Sequence, residues 1–178
     1  TAKDFSVEYG VDYLDDTASA LLVDLDNDGD QDLVLATFDG LLVLSNEKGA
    51  TFKRRFHHPL AERDVQGISA VDYDNDGDLD LYVTIDYADA MAAARRGERL
   101  PRFRFEDAND GGRNMLLNNI GGAFSWEFLD VTNAAGLDVH NRRHSLAAAW
   151  EDYDNDGDQD LYVANDYGQN CLYSNQGG

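Results

Sequence analysis

The feature that most constrains this chain is a string of alternating aspartates set directly against an apolar run. Residues 72–83 read DYDNDGDLDLYV, and residues 152–163 read DYDNDGDQDLYV. A looser copy, DLDNDGDQDLVL, stands at 24–35. Residues 71–83 and 151–163 match at 11 of 13 positions, so the chain is built from repeats. The three strings hold 15 of its 35 acidic residues.

Each string has the same neighbours. An apolar run precedes it, SALLV (19–23), GISAV (67–71) and SLAAAW (145–150), and another follows, DLVLAT, DLYVTI and DLYVAN. These runs are short, partly β-branched or aromatic, and bounded by turn residues, so they predict strands. A third strand is predicted at LLVLSN (41–46), NMLLNN (114–119) and NCLYSN (170–175), and a fourth at TFKRRF (51–56) and AFSWEFLDV (123–131). Four antiparallel strands in about 45 residues is the size of one propeller blade. The expected fold is therefore all-β, with about three blades near 14–56, 65–131 and 143–178. Residues 86–113 form an insertion in the second blade, and its ADAMAAARR part favours a short helix. Residues 1–13 resemble the fourth-strand segment FLDVTNAAGL and are expected to finish a neighbouring blade. Three blades do not close a ring, since propellers use typically four to eight. The expectation is a piece of a longer propeller, or copies that complete a ring as a homo-oligomer.

In D-x-D-x-D-G-x-x-D the first, third, fifth and ninth side chains can converge on one point, with the carbonyl of position seven. The glycine at position six supplies a positive φ for the reversal. An oxygen-only cage suits a hard cation, and calcium takes six to eight such oxygens. Zinc or copper wants His or Cys, and no His lies within the strings. Four carboxylates about 5 Å apart repel by about 3 kcal/mol per pair at an effective dielectric of about 20. Binding a cation removes that repulsion. An EF-hand needs Glu at position twelve, which here is Leu35, Val83 and Val163.

These strings, with NMLLNNIGGAF and FLDVTNAAGL, resemble the FG-GAP/VCBS repeat family, the calcium-binding blades of integrin α-subunit propellers and many secreted bacterial proteins. AAWEDYDNDGDQDLYVAN is similar to the branch that includes cartilage acidic protein. The resemblance implies three calcium ions. The first would be held by Asp24, Asp26, Asp28 and Asp32 with the carbonyl of Asp30. The second would be held by Asp72, Asp74, Asp76 and Asp80 with that of Asp78. The third would be held by Asp152, Asp154, Asp156 and Asp160 with that of Asp158. It also implies a secreted, extracellular or cell-surface setting.

The formal charge of −21 argues against nucleic acid as a partner. No run of 18 apolar residues is present to span a membrane, and TAKDFSVEYG is not a signal-peptide pattern. Arg95, Arg96, Arg99, Arg102 and Arg104 cluster in the insertion. They either pack on the protein's own acidic surface or dock a protein or acidic glycan. Tyr73, Tyr82, Trp150, Tyr153 and Tyr162 surround the loops and read as packing beside the ion, and Cys171 as a small buried hydrophobe. His57-His58 and Arg142-Arg143-His144 fall in expected inter-blade connections. No acid/base pair, nucleophile set or phosphate loop stands out. The functional expectation is a calcium-stabilised binding or adhesion module and not an enzyme. The alternatives are a self-assembling structural protein and the accessory propeller of an extracellular enzyme.

Overall fold

The computed structural model describes residues 1–37, 40–49, 51–60, 64–87, 107–121 and 125–177. Among them lie one short helix and eleven strands in three antiparallel sheets. The first sheet runs in chain order through β1 (Thr17–Val23), β2 (Asp32–Thr37), β3 (Gly40–Asn46) and β4 (Phe52–His58). The second does the same through β5 (Val65–Val71), β6 (Asp80–Ile85), β7 (Met115–Asn119) and β8 (Phe128–Asp130). The third holds β9 (Ser145–Glu151), β10 (Asp160–Asn165) and β11 (Cys171–Tyr173). These are propeller-like blades, and the three described sheets do not close a ring.

The predicted second strands coincide with β2, β6 and β10 because each begins at the ninth aspartate of its loop. Pairing places equivalent residues alike: Val23 lies opposite Asp32, Val71 opposite Asp80, and Glu151 opposite Asp160. The first strands lie side by side, β1 next to β5 and β5 next to β9. Within the described part of the expected fourth strand, 125–131, the strand itself is Phe128–Asp130.

Alternation along a strand sends neighbouring side chains to opposite faces, and each sheet uses both. Val34, Ala36, Leu41 and Val43 of the first sheet meet Leu81, Val83, Ile85 and Leu117 of the second. Tyr82 and Leu116, on the second sheet's other face, meet Leu161 and Val163 of the third. Leu35, Leu42 and Leu44 form a separate buried cluster in the first sheet.

Residues 1–13 do not form the expected strand. They carry α1 (Ser6–Tyr9), closed by Gly10 at φ 71°. A strand needs a neighbour for its backbone N–H and C=O groups, and this segment pairs with no described strand. Local contacts decide instead. Asp4 Oδ1 accepts the backbone N–H of Ser6, and the Phe5 and Tyr9 rings stack at 5.4 Å across one turn. No helix among the described residues is long and apolar enough to cross a membrane.

Candidate metal centres

Each aspartate string forms the loop between the first and second strands of its sheet. Two left-handed residues shape it: Asn27, Asn75 and Asn155 at φ 57°, 59° and 63°, and Gly29, Gly77 and Gly157 at φ 94°, 94° and 100°. Asparagine tolerates the first of these conformations, and the second needs glycine. The first aspartate then turns back onto its own loop. Asp24 accepts the N–H groups of Asp28 and Gly29 at 3.1 and 3.0 Å, and Asp72 and Asp152 do the same.

The ninth aspartate is the fixed point. Asp32, Asp80 and Asp160 are 0, 1 and 2% exposed. Each accepts one N–H from position two of its loop and one from the asparagine at or just beyond the end of the third strand. Asp32 takes Leu25 and Asn46, both at 2.9 Å. Asp80 takes Tyr73 at 3.1 Å and Asn119 at 2.8 Å. Asp160 takes Tyr153 at 3.1 Å and Asn175 at 2.8 Å. Burial pushes the Asp32 carboxyl up to about 6 and the Asp80 carboxyl up to about 7, against the pull of these N–H groups. Asp26 is also raised, first by burial and then by the charge of Asp28.

The structure therefore brings together three carboxylates per loop. Asp24, Asp26 and Asp32 have ligand oxygens within 4.8 Å of one another, as do Asp72, Asp74 and Asp80, and Asp152, Asp154 and Asp160. It does not bring in the fifth position. Asp28, Asp76 and Asp156 each accept the N–H of position seven at 2.9–3.0 Å. Asp78 and Asp158 turn their side chains to Asn27 and Asn75 of the preceding blade. Calcium fits the donor set, because every converging atom is a carboxylate oxygen. It also fits a loose end in the second loop. Asp74 Oδ2 accepts the Asn118 amide at 2.7 Å, while Oδ1 is buried with no hydrogen-bond partner.

A family model described as an FG-GAP-like repeat matches residues 24–83, spanning the first two loops and the strands between them. Over that stretch the chain is similar to an FG-GAP-like repeat. A search among curated proteins finds no match. The third loop lies outside the matched stretch, yet it repeats the second loop's five hydrogen bonds from backbone N–H groups to aspartates.

The asparagines at 46, 119 and 175 read in the sequence only as turn residues, although their recurrence after each third strand was visible. Tyr82 packs as expected, buried with its ring edge-on to Trp150 at 5.6 Å, and Tyr73 joins the same cluster. Tyr153 and Tyr162 do not. They are exposed, because no described sheet covers that face of the third blade. Cys171 is half-buried against the same cluster as Tyr82. His57 and His58 lie within β4 and not in a connection.

Arg143 and His144 are buried at the junction of the second and third sheets. His144 sits between Asp86 Oδ1 at 2.9 Å and Asp110 Oδ1 at 3.3 Å, and Arg143 reaches Asp107 at 3.0 Å. Both imidazole nitrogens are thus engaged by carboxylates, which makes this a clasp on the ends of the insertion. Arg95, Arg96, Arg99, Arg102, Arg104 and the expected ADAMAAARR helix lie outside the described residues.

Proposed function

We propose that the chain binds three calcium ions, one per loop, and that the stiffened blades serve as an extracellular binding or adhesion module for a protein or glycan ligand. The observation that carries this reading is the threefold recurrence of one carboxylate triad, each with its ninth aspartate almost fully buried. A buried carboxylate facing two others is costly unless a cation neutralises the group. When bound, calcium supplies charge neutralisation and a cross-link between first and second strands. Three carboxylates supply three to six of the six to eight oxygens calcium takes. The carboxylates of Asp28, Asp76 and Asp156 and the carbonyls of Asp30, Asp78 and Asp158 are the nearest further donors in sequence. FG-GAP repeats usually occur in extracellular proteins, where calcium is abundant, and this supports the setting.

The role is binding and not catalysis. The buried histidine, His144, is held at both ring nitrogens, and the aspartate loops carry no nucleophile. A second reading, assembly with copies of the chain, is favoured by the exposure of Tyr153, Tyr162 and Leu172 on one face of the third blade.

Calorimetric titration of the chelator-treated chain tests the calcium reading. About three calcium ions should bind per chain, with magnesium competing weakly. A flat isotherm at millimolar calcium would exclude it.

A further inference from the structure

The three loops are not separate. Two kinds of hydrogen bond cross from each blade to the next, and both occur at both junctions. The first kind runs along the loop tips. Asn27 Nδ2 donates to Asp78 Oδ1 at 2.9 Å and to the Gly77 carbonyl at 3.2 Å. Asn75 Nδ2 donates to Asp158 Oδ1 at 2.8 Å. The fourth residue of one loop thereby holds the seventh residue of the next.

The second kind lies deeper and connects the ninth aspartates. The Leu25 peptide gives its N–H to Asp32, and its carbonyl accepts the Asn119 amide at 3.1 Å. Asn119 in turn gives its own backbone N–H to Asp80. At the next junction Tyr73 gives its N–H to Asp80, and its carbonyl accepts the Asn175 amide at 2.8 Å. Asn175 gives its backbone N–H to Asp160. An unbroken relay thus runs Asp32–Leu25–Asn119–Asp80–Tyr73–Asn175–Asp160.

We infer that the three cation sites are energetically coupled through these asparagines, so that filling one loop raises the affinity of the loop beside it. This rests on the calcium reading above. An ion that fixes Asp32 and its loop also fixes the Leu25 peptide and the Asn27 amide. Those two groups then hold Asn119, Gly77 and Asp78 in place for the second ion. Hydrogen bonds in series polarise and orient one another, and coupling of this kind must be reciprocal. Asn27, Asn75, Asn119 and Asn175 act as positioning residues, with the middle loop as the shared link.

The test is calcium titration of the full chain by calorimetry, with three variants. Asn27→Gly/Asn75→Gly removes both tip amides while glycine keeps the left-handed backbone at φ 57° and 59°. Asn155→Gly makes the same change in the third loop, where the amide bonds no other loop among the described residues. Asp74→Asn disables the middle site at nearly constant shape. The wild-type chain should bind with a Hill coefficient near 2. The double variant should bind its later ions about five- to tenfold more weakly, with the coefficient falling toward 1. Asn155→Gly should match wild type, and Asp74→Asn should bind two ions independently. Wild-type binding at three independent sites would overturn the coupling and leave the calcium sites standing, and a double variant indistinguishable from wild type would overturn the part given to the tip amides. Absence of any binding would remove both.

Discussion

The second and third blades carry nearly the same letters and meet different fates. Tyr82 and Tyr162 are the same residue of the same string, its eleventh, yet one is 1% exposed and the other 44%. Leu116 and Leu172, their partners on the adjacent strand, are 0% and 55% exposed. The anchoring of the ninth aspartate does not differ: Asp80 and Asp160 each hold the equivalent two N–H groups at the same distances. The aspartate string therefore specifies a hairpin locally. Whether the aromatic residue behind it becomes core depends on a neighbouring sheet. The second blade has a neighbour on each face, and the third has one among the described residues on one face only.

The largest test of that contrast is removal of calcium. A ligand at 100 times its dissociation constant contributes about 2.7 kcal/mol per site, so three sites contribute about 8 kcal/mol. For a chain of this size each kcal/mol shifts Tm by about 2–4 °C. Chelation should lower Tm by well over ten degrees in a thermal scan. Hydrogen exchange should quicken first in β9–β11, whose packing is one-sided, and later in β5–β8. Matching melting curves in EDTA and in millimolar calcium would break the claim that ions hold the hairpins. Uniform exchange would break the claim that the two blades differ.

Burial gives the next largest effect. Tyr82→Ala leaves a cavity among Leu116, Leu161 and Trp150 and should cost about 3–5 kcal/mol. Tyr162→Ala removes an exposed ring and the bond its hydroxyl accepts from the Asn170 amide at 2.9 Å. That should cost no more than about 1 kcal/mol. Urea unfolding at saturating calcium measures both, and near-equal losses would show that the third blade's face is covered in solution.

What the sequence disclosed follows the same division. The strands flanking each loop were legible because the apolar runs, the left-handed Asn and Gly, and the ninth aspartate are all local signals. The ligand triads were legible in part. The aspartates of the three triads are among those the spacing singled out; it also counted Asp28, Asp76 and Asp156 as converging, and each of these puts one carboxylate oxygen on the N–H two residues on. That choice belongs to the backbone of the turn and leaves no trace in composition. Residues 1–13 misled because they resemble the fourth-strand segment FLDVTNAAGL, while the edge needed for pairing was not in the sequence to be seen. Tyr153 and Tyr162 misled for the complementary reason: their letters are those of buried residues, and burial is supplied by another sheet. The asparagines that relay between loops were visible as repeats, yet their reach is across blades.

The smallest effect concerns the link from the second blade to the third. Arg113, just before β7, bonds Asp130 at 2.8 Å, at the end of β8, and Asp138 at 2.8 Å, in the turn that leads onward. Burial pushes the Asp130 carboxyl up, but the Arg113 and Thr132 hydrogen bonds outweigh it and leave it below the usual carboxylate range. The Arg113 guanidinium holds Asp138 low as well, despite some burial. A carboxylate with a depressed folded pKa contributes stability that is present above its unfolded value, near 4, and is lost as pH falls through the folded value. Both pairs are partly exposed, so solvent screening limits them to about 1 kcal/mol together. Arg113→Met should therefore be about 1 kcal/mol less stable than wild type at pH 7. The gap should close between pH 4 and pH 2, because the loop aspartates protonate equally in both chains and cancel in the difference. A gap that persists at pH 2 would mean that Arg113 acts by packing its stem, and that the two blades are joined there by contact and not by charge.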